Sequence, residues 1–375
     1  MLFRSARPVV VVLAEVYDAS HAMHRVFGAD IGSLKERFDT VLMTANGKID
    51  HRLEPFFSCL DATPFDSGNP RLFRDAVLAH RPDIVYFPSV GMRFMSILMS
   101  NIRLAPVQIV TFGHPATTHS RYIDFAVVHD GVVVDESTLG ETIIVREKGV
   151  QFLDHAEAVD IAADIRERPD EVRVAVPAWQ RKVTPSFLEV CRRIVAGSTR
   201  PVRFAFFPNT KGSAYQAFRR RIEQELPARV LPSTTYPEYL SWLNECDLFL
   251  STFPFGATNG IIDAARLGLP IVNMTGREMH SMIDSLMLRE LGAPGWLSTD
   301  SIESYIAAAL RLINDDALRV AVSRDMLGAD VRKVFMHKEI GSDFADVFDA
   351  VHRRHDAILA TGRKRWSYRD LVALE

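Results

Sequence analysis

The stretch Asp247-Leu-Phe-Leu-Ser-Thr-Phe-Pro-Phe-Gly-Ala-Thr-Asn-Gly-Ile-Ile-Asp263 decides how the chain is read. Leu248 to Leu250 is an apolar run of the kind buried in a parallel sheet. Pro254, Gly256, Thr258, Asn259 and Gly260 make a small-residue loop, and a helical pattern begins near Ile261. Strand, loop and helix in that order are how an open α/β sheet builds an anion site, because the amides of a first helical turn lack intrahelical partners. Asp263 lies four residues after Asn259, so both project from one side of that turn. A carboxylate there suits a hydroxyl pair such as a ribose diol better than a phosphate. The stretch reads as a site for a nucleoside diphosphate. It reads equally as plain structure, with Asn259 capping the helix and Asp263 complementing its dipole.

Working outward, short β-rich runs alternate with helical patterns. Strands are expected at Val9–Leu13, Thr40–Met43, Ile84–Phe87, Gln108–Phe112, Phe125–Val128 and Thr142–Val145. The pattern restarts with Val172–Val176, Val202–Phe207, Arg229–Leu231, Leu248–Leu250 and Ile271–Asn273. Helices are expected between them, among others at Arg71–Ala79, Pro185–Ala196, Tyr215–Glu225 and Pro237–Glu245. Such alternation predicts parallel sheets covered by helices on both faces. The charged, aperiodic stretch Asp154–Asp170 marks a boundary between two Rossmann-like halves, residues 1–155 and 156–375. The helical stretches Ile302–Ile313 and Asp343–Ile358 are expected on the second half, with the tail returning toward the first. A ligand is expected between the halves, beyond the carboxyl ends of the strands.

Composition narrows the function. At 375 residues, 47% hydrophobic and 24% charged, the chain has the makeup of a globular protein of two domains. Lys plus Arg number 44 against 47 Asp plus Glu, a net charge of −3, so no global basic field invites nucleic acid or an anionic membrane. The basic residues Arg353, Arg354, Arg363, Lys364 and Arg365 read as the wet side of a terminal helix. Cys59, Cys191 and Cys246 show no metal-type spacing, and a reducing, cytoplasmic compartment fits them. No stretch is long enough to span a bilayer. There is no G-x-G-x-x-G or Walker loop, which counts against dinucleotide enzymes and P-loop NTPases.

Three blocks carry a family resemblance. Asn101-Ile-Arg-Leu-Ala-Pro-Val-Gln-Ile-Val-Thr-Phe-Gly-His-Pro-Ala-Thr-Thr-His-Ser-Arg-Tyr-Ile-Asp-Phe-Ala-Val-Val-His129 is similar to the glycosyltransferases that unite O-GlcNAc transferases with bacterial adhesin N-glucosyltransferases. The wording from Gly113 to Ser120 and from Phe253 to Asp263 resembles the bacterial branch. The block Gly276–Leu297, with His280, Ile283 and Asp284, is also similar, and the resemblance covers roughly residues 8–345. It implies a GT-B fold, two facing Rossmann-like domains with a central cleft.

The resemblance also implies roles. Lys182, in Lys182-Val-Thr-Pro-Ser-Phe-Leu188, matches the lysine that holds the donor diphosphate. Thr258, Asn259 and Gly260 match the phosphate loop, and Asp263 the ribose carboxylate. Tyr236, in Ser233-Thr-Thr-Tyr-Pro-Glu238, matches a position flanking uracil, and Asn209 falls near a polar donor contact. In Ser20-His-Ala-Met-His-Arg25, His21 is the counterpart of an active-site histidine able to orient or deprotonate an acceptor. His24 is three residues on, and chemistry alone does not separate the two. His114 and His119 are further acceptor-side candidates, although Pro115 could hold His114 as a turn residue.

The implied reaction is inverting transfer of a hexose from a UDP-sugar, with no metal and no other cofactor. The bacterial wording favours UDP-glucose, with UDP-galactose also open, and a protein asparagine acceptor. UDP-GlcNAc with serine or threonine, a small saccharide, a lipid-linked acceptor and a non-catalytic UDP-sugar-binding subunit stay open. Members of both branches carry a helical domain ahead of the catalytic part, whereas this chain starts almost directly at Val9–Leu13. A docking surface supplied by another chain, or a small acceptor, is therefore expected.

Overall fold

A computed structural model describes residues 7–45, 47–64, 68–133, 135–147, 149, 151–336 and 343–374. The chain divides into two compact units, residues 1–156 with 335–375, and residues 157–334.

The first unit holds strands β1 (Val9–Ala14), β2 (Asp39–Thr44), β3 (Cys59–Asp61), β4 (Ile84–Phe87), β5 (Val107–Val110), β6 (Phe125–His129) and β7 (Thr142–Arg146). The second holds β8 (Val172–Val176), β9 (Val202–Phe206), β10 (Ala228–Val230), β11 (Leu248–Leu250), β12 (Ile271–Met274) and β13 (Ser298–Thr299). Strand β14 (Arg365–Ser367) returns to the first unit. The sheet orders are β14-β7-β6-β5-β4-β1-β2-β3 and β10-β9-β8-β11-β12-β13, and every pairing is parallel. Chain order reverses between β1 and β4 in one sheet and between β8 and β11 in the other. These are the points where open α/β sheets leave a crevice beyond their carboxyl ends.

The long strands were expected within a residue or two of where they lie, because Val-rich runs such as Val9–Leu13 are buried on both faces. β3, β13 and β14 were not expected. They are edge strands of two or three residues with little apolar signal.

The terminal helix corrects one expectation. Phe344–Ala360 belongs to the first unit, not to the second half. Its apolar stripe of Phe344, Val347, Phe348, Val351 and Ile358 is buried in the first unit's core. The rings of Phe344 and Phe348 meet Tyr86 of β4 edge-on at 5.6 and 5.2 Å. Side chains buried this way each contribute roughly 1.5–3 kcal/mol, enough to decide which unit the helix joins. A buried ion cluster pins its start: Arg146 Nε donates to Asp343 at 2.9 Å and Arg146 Nη2 to Asp30 at 2.9 Å. Of the terminal basic residues, Arg353 and Arg354 lie on this helix. Arg363 and Lys364 instead lie in the turn before β14, and Arg365 opens that strand.

Candidate active site

In the second unit, the residues around the β8–β11 reversal come together. Beyond β8 the chain makes a short turn, Gln180–Lys182, before Thr184 caps the helix Pro185–Gly197 by accepting from Phe187 N at 3.2 Å. That turn delivers the half-buried Lys182 to the loop beyond β11, where its ammonium donates to the carbonyl of Gly256. Burial lowers the lysine's pKa, and the nearby Asp284 charge opposes that shift.

Asp284 itself had no role assigned from sequence. It sits on the helix Met279–Glu290, is 3% exposed, and accepts from the Ser251 hydroxyl, from Ala257 N at 2.8 Å and from Thr258 N at 3.0 Å. A Cβ on Gly256 would collide with both of its carboxylate oxygens. The available signal was an acidic residue on the buried stripe it shares with Met287 and Leu288.

The loop differs from the expected cradle of open amides. Ala257 N and Thr258 N face Asp284, while Gly260 N and Ile261 N bond the carbonyls of Ala257 and Thr258, both at 3.0 Å. Thr258, at φ +43°, holds the cap position of the helix Asn259–Arg266, so Asn259 is its first residue rather than its cap. The side chains of Thr258 and Asn259 and the Lys182 ammonium all belong to this loop region. Beside this loop, Phe255 stacks on His280 with centroids 4.3 Å apart.

Asp263, on the same helix, is 3% exposed and accepts from the Tyr236 hydroxyl at 2.6 Å. Tyr236 opens the helix Tyr236–Asn244, whose start is fixed by a capping box between Thr235 and Glu238. By resemblance Tyr236 matches a position flanking uracil, and the structure adds the link from its phenol to Asp263. Asn209 (φ +46°) is exposed and accepts from Ser233 Oγ at 2.9 Å. It thus joins the loops after β9 and β10, and its neighbours meet the Lys182 turn: Pro208 O accepts from Gln180 N at 3.3 Å and Thr210 Oγ1 donates to Gln180 Oε1 at 3.4 Å.

In the first unit, the candidate histidines follow strands β1 and β5, on either side of β4. The structure separates His21 from His24. His21 takes the cap position of the helix Ala22–Ser33, and its Nδ1 accepts from Met23 N at 3.2 Å. Burial lowers its pKa, with Asp18 opposing, so the ring is neutral near pH 7 and its proton sits on Nε2. His24 is 5% exposed, sits 3.0 Å from the Tyr17 hydroxyl and meets the Phe56 ring edge-on at 4.7 Å. Burial pushes its pKa down to about 4. It is a core histidine, packed between Tyr17 and Phe56.

His114 and His119 share the loop beyond β5. His114 lies against Gly91 (φ +134°), where a Cβ would come 2.7 Å from its ring, and His119 is exposed at φ +50°. Two buried carboxylates fix these loops, and neither was foreseen. Glu15 accepts from Gly91, Met92 and Arg93 N at 3.0, 2.8 and 2.8 Å and from the hydroxyls of Ser89 and Ser96. Glu141 accepts from Thr117 Oγ1 and Thr118 N, both at 2.8 Å, and from the Thr118 hydroxyl. Among the described residues, no group of three or more His, Cys, Asp or Glu is placed to hold a metal, and no helix is long and apolar enough to cross a membrane.

Comparison with known proteins places this geometry. The chain is 32% identical over 331 residues to UDP-glucose:protein N-beta-glucosyltransferase of Actinobacillus pleuropneumoniae serotype 5b, a match covering 86% of this chain. The serotype 7 protein of the same name matches equally, at 32% over 331 residues. The chain is a homologue of these glucosyltransferases. It spans about half the length of these curated relatives, 53% of each. Among solved structures, a mutant O-GlcNAc transferase of Thermobaculum terrenum superposes with a TM-score of 0.74 at 19% identity, covering 92% of this chain and 67% of that one. An S. aureus MnaA structure with UDP gives 0.50 at 10% identity, covering 93% and 96%. These likenesses establish the fold as GT-B, with two parallel-sheet α/β units. No family model matches the chain.

Proposed function

We propose that this homologue transfers glucose from UDP-glucose to an asparagine side chain of a protein or peptide, with inversion at the anomeric carbon. The observation that supports this most is the meeting of Lys182 with the Gly256–Gly260 loop, in a chain 32% identical to proteins of that named activity. In this reading the amide nitrogen attacks the anomeric carbon as the bond to the β-phosphate oxygen breaks. UDP departs carrying the negative charge, and the proton lost by the amide ends on the released phosphate or on water.

The Lys182 ammonium, with the side chains of Thr258 and Asn259, takes the charge that grows on the diphosphate. Such preorganised groups stabilise a leaving anion without reorganising during the reaction. This chemistry calls on no metal or other cofactor. Asp263, oriented by Tyr236, receives the ribose hydroxyls. Asn209, bonded to Ser233, supplies a polar contact to the donor. His21, with Nδ1 already accepting from Met23, offers an N–H donor and so orients the acceptor rather than deprotonating it. An amide is a weak nucleophile, so positioning carries much of the barrier, up to about 7–11 kcal/mol in favourable cases. His114 and His119 lie on the acceptor side. The polypeptide acceptor docks on a surface supplied in part by a further domain or chain. The thiols of Cys59, Cys191 and Cys246 are free, in keeping with a reducing cytoplasmic setting.

A donor screen by UDP release tests the reading: UDP-glucose turns over faster than UDP-GlcNAc or UDP-galactose when an asparagine-containing peptide is present. Equal, peptide-independent rates with all three would contradict it.

A further inference from the structure

We propose that Asp284 is the positioning residue of the donor site: it fixes the loop whose Gly256 carbonyl docks the Lys182 ammonium, and so pre-places that lysine for the diphosphate. The proposal rests on the donor reading above. It stands on a chain of contacts within one unit. Asp284, 3% exposed, accepts two consecutive loop amides, Ala257 N at 2.8 Å and Thr258 N at 3.0 Å, one on each carboxylate oxygen. The Ser251 hydroxyl at the end of β11 donates to the oxygen that holds Ala257. Gly256 lies so close that no side chain fits between its Cα and the carboxylate. With both amides turned inward, Gly256 presents its carbonyl to Lys182.

Two consequences follow from carboxylate chemistry. A carboxylate accepts on both oxygens, whereas a carboxamide accepts on one and donates from the other. An Asp284→Asn side chain therefore faces one loop N–H with its own N–H2, and the loop resets although volume is unchanged. The buried negative charge also favours the ammonium form of Lys182, which burial disfavours. Asp284 thus touches neither nucleotide nor sugar and acts through the loop and the lysine.

The test compares UDP with uridine, which share base and ribose but differ in the diphosphate. Calorimetric titration is run on the full chain as the unmodified protein, Asp284→Asn and Gly256→Ala. The glycine variant strikes the same contact from the loop side and keeps the charge. Both variants lose about tenfold or more in UDP affinity, the scale of a charge-assisted hydrogen bond, while uridine affinity stays within about twofold. A folded Asp284→Asn variant that binds UDP as the unmodified chain does would overturn the proposal. So would parallel losses for UDP and uridine, the signature of a general structural role. Should Asp284→Asn not fold, Gly256→Ala decides by the same ratio. If the unmodified chain itself binds UDP no more tightly than uridine, the donor reading is the part that fails.

Discussion

The hydroxyl of Tyr236 donates to Oδ1 of Asp263 at 2.6 Å, tying the first residue of one helix to the first turns of another. The phenol helps to fix the rotamer of this buried carboxylate. Asp263→Ala is expected to weaken UDP binding by roughly 10- to 100-fold, and Tyr236→Phe by a smaller factor of about three to ten. Calorimetry with UDP checks both. Tighter binding by Tyr236→Phe would show that the phenol competes with the ribose instead of orienting its partner.

Lys182→Ala should lower turnover by roughly 10²- to 10³-fold, the range seen when a single transition-state donor is removed, while the circular dichroism spectrum stays unchanged. Burial lowers the lysine's pKa from 10.5, so its charge is lost as pH rises at a lower pH than for a free lysine. The rate should fall on the alkaline side accordingly. Lys182→Arg should remove that limb even if its overall rate is poor, because a guanidinium keeps its charge. An unchanged alkaline limb in the arginine variant would assign the titration to another group.

His24 predicts an acid sensitivity. Its folded pKa of about 4 lies below the ordinary 6.5, so the unfolded chain takes up a proton that the folded chain resists. Stability is therefore complete above about pH 6.5, falls as pH drops toward 4, and loses nothing more from this group below that. The shift corresponds to about 3 kcal/mol at most. His24→Phe should flatten the pH dependence of urea midpoints between pH 6.5 and 4. An equally steep fall in the variant would clear His24 of the effect.

Arg146 is held by Asp30 and Asp343, all buried. Asp343→Ala removes one partner just before the terminal helix and leaves the guanidinium half-compensated. A loss of about 3 kcal/mol is expected. Calorimetric scans should show the transition containing the first unit moving down while the second holds. An equal drop in both transitions would mean that the cluster does not serve the first unit alone.

Much of this was legible in the sequence. The central strands announce themselves because their runs are buried on both faces, and resemblance named Lys182 from the stretch Lys182–Leu188 and Asn259 and Asp263 from the block Phe253–Asp263. What was not legible is long-range. Asp284, Glu15 and Glu141 hold loops 27, 76 and 23 residues away in sequence, through backbone amides whose identity leaves no trace in the residue pattern. His21 and His24, inseparable as residue types, part because one ring caps a helix and the other enters the core. The helix Phe344–Ala360 showed an apolar stripe, but a stripe does not name the sheet it covers.

The central claim is transfer of glucose from UDP-glucose to asparagine. Its most direct measurement is mass spectrometry of an Asn-x-Thr peptide after incubation with the purified chain and UDP-glucose. The account predicts one added hexose, localised to the asparagine by fragmentation and absent with Lys182→Ala. A hexose found on the threonine, or UDP released with the peptide unmodified, would contradict it.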